Sequence, residues 1–162
     1  MKPSNELITA AKAVFMAKAL VETLRPKIQK IQQDLLTDLD IHCDPQYADN
    51  ERQAGPLTPE RAWLMSDEDA EIYYGLLDKD YRAAGFTYIE KGQCPLLLAE
   101  NHLRLAERVF AEASLELTAK AGFTEETIEK IVTCAYPNGL ERRREYIDLT
   151  LRFVAPFVDA TL

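Results

Sequence analysis

The sequence predicts an all-α fold: a helical bundle of four main helices plus one or two short ones, with a long kinked N-terminal helix. Three observations carry that reading. Leu7, Ala10, Val14, Ala17, Val21, Leu24, Ile28, Ile31 and Leu35 recur at alternating steps of three and four, an apolar stripe held to helical period. A second stripe follows the same rule at Leu96, Ala99, Leu103, Ala106, Phe110, Ala113 and Leu117. The β-prone run Thr87-Tyr88-Ile89 is too short to make a sheet alone and reads as a crossing connection.

The first helix is expected to begin near Pro3 or Ser4, with Ser4 as its cap and Glu6 in the dipole-favoured first turn. Its first half is apolar nearly all round, which predicts enclosure by neighbours on several sides. Beyond Glu22, polar residues cover every face except the stripe. Pro26 removes one backbone bond and clashes with the carbonyl of Glu22. The stripe keeps its phase across it, so a kinked but continuous helix is expected. Some 36 residues of helix would span about 54 Å, whereas a compact domain of 162 residues is roughly 40 Å across. Leaving Leu24, Ile28, Ile31 and Leu35 in water would forgo about 6–12 kcal/mol together. These four residues are therefore the expected interface, covered by the chain itself or by a second copy.

An irregular loop is expected at about 41–58, inside one all-helical domain spanning 1–162. Thr58-Pro59-Glu60 reads as a cap, a first-turn proline and a compatible acid, opening a short helix with Trp63 and Leu64. Trp63 is expected to anchor the loop to the bundle. The next helix starts at Ser66, with Asp69 three residues on. Its expected inner face is Ile72, Tyr73, Leu76 and Leu77, and Gly85 stops it. Ala121-Gly122-Phe123-Thr124 repeats that stop. The second stripe's helix opens at Pro95 and pairs centrally with the first. A helix capped by Thr124 then carries Ile128, Ile131 and Val132. A Pro137-Asn138-Gly139 turn leads to a last helix with Leu140, Ile147, Leu151, Val154 and Val158, which Pro156 should kink or end.

The formal net charge is −8, and it is unevenly placed. Between Asp34 and Asp80 there are 13 acidic against three basic residues, a net −10. Such a surface repels phosphate backbones, which excludes nucleic acid as a partner, and favours cations or a basic protein. Lys12 and Lys18 interrupt the only long apolar stretch, so no signal peptide or membrane span is expected. Cys43, Cys94 and Cys134 are widely spaced and odd in number, which fits a reducing cytoplasm rather than a disulfide framework.

Candidate chemistry is sparse. Glu68-x-x-Glu71 and Glu145-x-x-Asp148 each put two carboxylates on one helix face, and two such pairs could hold Mg²⁺ against a substrate's phosphates. This arrangement resembles that of the all-helical nucleotide pyrophosphohydrolases, a resemblance confined to these four residues. It implies a Mg²⁺-dependent hydrolase. That family keeps its motifs close in sequence, whereas about 70 residues and a whole helix separate them here. His42, Cys43, Cys94 and His102 are zinc-type ligands without zinc-type spacing, and Cys43 beside His42 is a candidate activated thiol. Glu141-Arg142-Arg143-Arg144-Glu145 is a basic triplet bracketed by acids. Arg144 alone falls in phase with Leu140, Ile147 and Leu151, so it should meet a buried carboxylate or enter a partner groove.

The reading that follows is a non-enzymatic interaction protein without a cofactor, associating with itself as a homo-oligomer or binding a basic protein partner. The long N-terminal helix and the acidic 34–80 section would make the contact. The alternative is the Mg²⁺-dependent pyrophosphohydrolase.

Overall fold

The computed structural model describes residues 3–47, 55–120 and 140–159; side chains of 116–120, 140–143, 145 and 146 lie outside the description. Four helices are described: α1 (Asn5–Asp38), α2 (Asp67–Ala83), α3 (Pro95–Lys120) and α4 (Leu140–Asp159). Two 3₁₀ turns, Pro45–Tyr47 and Pro59–Leu64, lie between α1 and α2. Among the described residues there is no strand, only an isolated antiparallel bridge between His42 and Pro56. The all-α expectation holds. The predicted helix after Thr124, the Ala121-Gly122-Phe123-Thr124 stop and the Pro137-Asn138-Gly139 turn fall outside the described residues.

The ends of α1 follow from local chemistry. Ser4 Oγ accepts from the Leu7 amide at 3.2 Å, and the Ser4 carbonyl takes the Ile8 amide at 3.0 Å. The helix runs through Pro26 without a break. It closes with a paired return: the Ile41 amide reaches the Leu36 carbonyl, and the Asp40 amide that of Thr37. This geometry needs a left-handed residue after the helix, and Asp40 supplies it at φ 51°. α2 ends in the same way. Gly85, at φ 102°, bonds Arg82, and Phe86 bonds Tyr81.

The chain forms two compact units. The first takes residues 1–20 and 100–162. Its core joins Leu7, Ala10, Ala11 and Val14 of α1 to Phe110 of α3 and to Ile147, Leu151, Val154 and Val158 of α4. Leu103, Ala106 and Ala113 pack against that cluster, so this part of the second stripe faces inward as expected. One sequence expectation needs correction here. The first half of α1 is not enclosed all round: Ala13, Met16, Ala19 and Leu20 are exposed, because α3 and α4 share one core with the side that carries Leu7, Ala11 and Val14. Of the two outcomes expected at Pro156, a kink or an end, α4 does not end there: it continues to Asp159.

The second unit is the continuous segment 21–99. Its buried apolar side chains come from α1 (Val21, Leu24, Ile28, Leu35, Leu36), the connection (Ile41, Leu57, Ala62, Leu64, Met65), α2 (Tyr73, Leu77, Tyr81) and Ile89. The inner face of α2 is therefore Tyr73, Leu77 and Tyr81 at i, i+4 and i+8. Ile72, expected inside, is 54% exposed, since it lies about 100° round the helix from Tyr73. No described helix is long and apolar enough to cross a membrane.

Candidate functional site

The described residues of the stretch expected to be an irregular loop, 41–47 and 55–58, are held by backbone bonds. The Leu57 amide reaches the Ile41 carbonyl at 3.2 Å, the Cys43 amide that of Gly55 at 3.0 Å, and the Asp44 amide that of Leu64 at 2.8 Å. The last of these holds the two 3₁₀ turns side by side. Thr58 starts the second turn in extended geometry, though its side chain makes no capping bond, and Pro59 follows as its first residue. With three residues per turn, side chains three apart eclipse one another. Ala62 and Leu64 point into the core, while Glu60 and Trp63 share the outer face, both exposed.

Trp63 is thus not an anchor. It is 68% exposed; Leu64 and Met65 do the anchoring, both buried. Its indole stands 6.3 Å, centroid to centroid, from the ring of Tyr47, tilted by 59°. Tyr47 is itself exposed and is held by its amide to the Asp44 carbonyl at 2.9 Å. Asp44 in turn is fixed by Gln46, whose amide and side chain donate to its carboxylate. The result is an open aromatic corner on hydrogen-bonded turns, inside the section that carries a net −10. Glu60, Asp67, Glu68 and Glu71 are exposed on the second turn and the opening of α2. Sequence reading missed this corner. The signal that could have found it was the proline-led turn itself, whose three-residue period places Glu60 under Trp63.

The expected interface residues are found largely inside the second unit. Leu24, Ile28 and Leu35 are buried with one chain present, Ile28 completely, and Ile31 is half-buried. The stripe is kept dry by the chain's own side chains.

Of the four carboxylates of the alternative reading, Glu68 and Glu71 belong to the second unit and are exposed at the start of α2. Ser66 caps that helix by accepting from the Asp69 amide at 3.2 Å, and acids at Asp67, Glu68 and Asp69 complement its dipole. Asp148, in the first unit, faces Lys18 at 3.7 Å. The Glu145 side chain lies outside the described residues. The zinc-type residues are each engaged or exposed. His42 Nε2 meets Asp40 Oδ1 at 2.9 Å, and Cys43 Sγ donates to the Asp44 carbonyl at 3.4 Å. Cys94 Sγ accepts from Tyr81 at 3.6 Å and from Gln32 at 3.8 Å. His102 is exposed on α3. Among the described residues no three His, Cys, Asp or Glu side chains converge as a metal site.

The first unit carries an open groove of about 580 Å³ between α1 and α3, lined by Glu6, Thr9, Ala10, Ala13, Val109, Glu112 and Ala113. The Thr9 hydroxyl donates to the Asn5 carbonyl and Glu112 pairs with Arg108, so the lining is mainly small and apolar. Comparison with family models, with curated proteins and with solved structures gives no match; the reading of function rests on the geometry above.

Proposed function

We propose that the chain is a non-enzymatic interaction protein whose acidic second unit receives a basic protein partner. The observation that supports this reading is the exposed Tyr47–Trp63 corner set in the acidic 34–80 section. An exposed tryptophan offers a large apolar surface at low entropic cost, and Trp and Tyr dominate the energetics of protein contacts. Carboxylates around it select a positive partner and speed its approach. The burial of Leu24, Ile28 and Leu35 moves the proposed contact from the α1 stripe to this corner. Free Cys43 and Cys94 accord with a cytoplasmic setting.

Calorimetry with a basic peptide at low ionic strength tests the proposal. Binding that weakens as salt is raised is the expected result; no heat with any basic peptide ends it. Light scattering addresses the self-associating form of the reading. A dimer split by Ile31→Glu would return the contact to α1. The pyrophosphohydrolase alternative draws on the exposed Glu68 and Glu71, one turn apart on α2. It requires Mg²⁺ binding and pyrophosphate release from nucleotides, both lost in Glu71→Gln.

A further inference from the structure

We propose that the basic partner presents an arginine, whose guanidinium stacks on the Trp63 indole while its edge pairs with Glu60. This rests on the reading that the acidic unit binds a basic segment, and names the group it recognises. The two side chains lie on one face of a 3₁₀ turn, about 6 Å apart along its axis. That spacing suits a planar cation that can lie flat on a ring and donate from its edge to a carboxylate. Guanidinium does both: it is weakly hydrated, stacks on aromatic faces and offers a rigid fork of donors. Lysine's compact, strongly hydrated ammonium satisfies one of the two at a time. Tryptophan is the best aromatic acceptor for a cation.

Three further observations favour this occupant. Tyr47 closes one side of the indole as a second, tilted wall. Glu60 is exposed and makes no ion pair among the described residues, so its carboxylate is available. Arg61, the basic residue of the same turn, is half-buried and has a partner of its own, whereas Glu60 and Trp63 are exposed.

The chain has one tryptophan, so its emission reports on Trp63 alone. Two nine-residue peptides of equal charge, one arginine-based and one lysine-based, are titrated at low ionic strength, following heat and emission together. The expected result is a change in emission with the arginine peptide and roughly five-fold tighter binding than lysine, about 1 kcal/mol. Trp63→Leu and Glu60→Gln should each remove most of that preference while far-UV circular dichroism stays unchanged, both positions being exposed. Equal affinity for the two peptides, or a preference that survives both substitutions, overturns the arginine assignment and leaves the basic-partner reading standing. No binding by either peptide overturns both.

Discussion

Arg144 of α4 donates Nη1 to Glu107 Oε2 of α3 across 2.6 Å, joining two helices of the first unit. Glu107 is 6% exposed, and its other oxygen, Oε1, has no partner among the described residues. A buried carboxylate in that position depends on the Arg144 cation. The Arg144 side chain is about half exposed, so the arginine brings its charge from the surface inward.

Arg144→Met should therefore destabilise the protein by about 2 kcal/mol, below the loss for a fully buried pair because one partner is solvated. Replacing both residues, Glu107→Leu with Arg144→Met, should recover most of that loss. Urea denaturation of the two singles and the double gives the coupling. A double variant as unstable as the sum of the singles would mean that the pair does not act as a unit.

Gly85 and Asp40 close α2 and α1 through the same left-handed return. A Cβ at Gly85 would meet nothing within 4 Å, so Gly85→Ala tests backbone strain without a clash. A loss of about 1–2 kcal/mol is expected. Asp40→Val should lose a similar amount, since a β-branched residue tolerates positive φ poorly, whereas Asp40→Gly should be near neutral. Thermal melts of the three variants make the comparison.

Pro26 sits on an exposed turn inside α1. Pro26→Ala restores a helical bond and removes a clash, which should raise stability by about 2 kcal/mol after allowing for the freer unfolded chain. A lower melting temperature would show that the helix needs the proline where it stands.

Tyr73 and Tyr81 have their phenols held well above the ordinary value of 10.0. Burial is the main cause for both. Tyr74 adds to it for Tyr73, and the hydrogen bond to Cys94 adds to it for Tyr81. The folded state binds these protons more tightly than the unfolded state. Their contribution is therefore complete below pH 10 and is lost as the pH climbs from there toward the folded values, at roughly 1.4 kcal/mol per pH unit for each group. Absorbance titration should show two of the seven tyrosines ionising only as the protein unfolds in alkali.

What could be read from residues alone was whatever repeats at helical period. The stripes of α1, α3 and α4 gave the helices and most of their buried faces, and of the two outcomes expected from the phase of Arg144, a buried carboxylate or a partner groove, the structure shows the carboxylate. Which carboxylate was not readable, because Glu107 is 37 residues away and only folding brings it near. Trp63 was misplaced for a different reason. A large apolar side chain is expected inside, and in a turn of period three the smaller Ala62 and Leu64 took that side. Ile72 failed similarly: the phase of Tyr73, Leu77 and Tyr81 outweighed its hydrophobicity. The proposed site lies where period-based reading is weakest, in short turns ordered by single backbone bonds.

The first unit is assembled from both ends of the chain, residues 1–20 and 100–162, whereas the second is one uninterrupted segment. Leu7, Ala11 and Val14 find their native cover in Phe110, Ile147, Leu151 and Val154, far along the chain. The core of the first unit therefore joins side chains more than ninety residues apart, Val14 to Phe110, and its closure carries the entropic cost of that long loop.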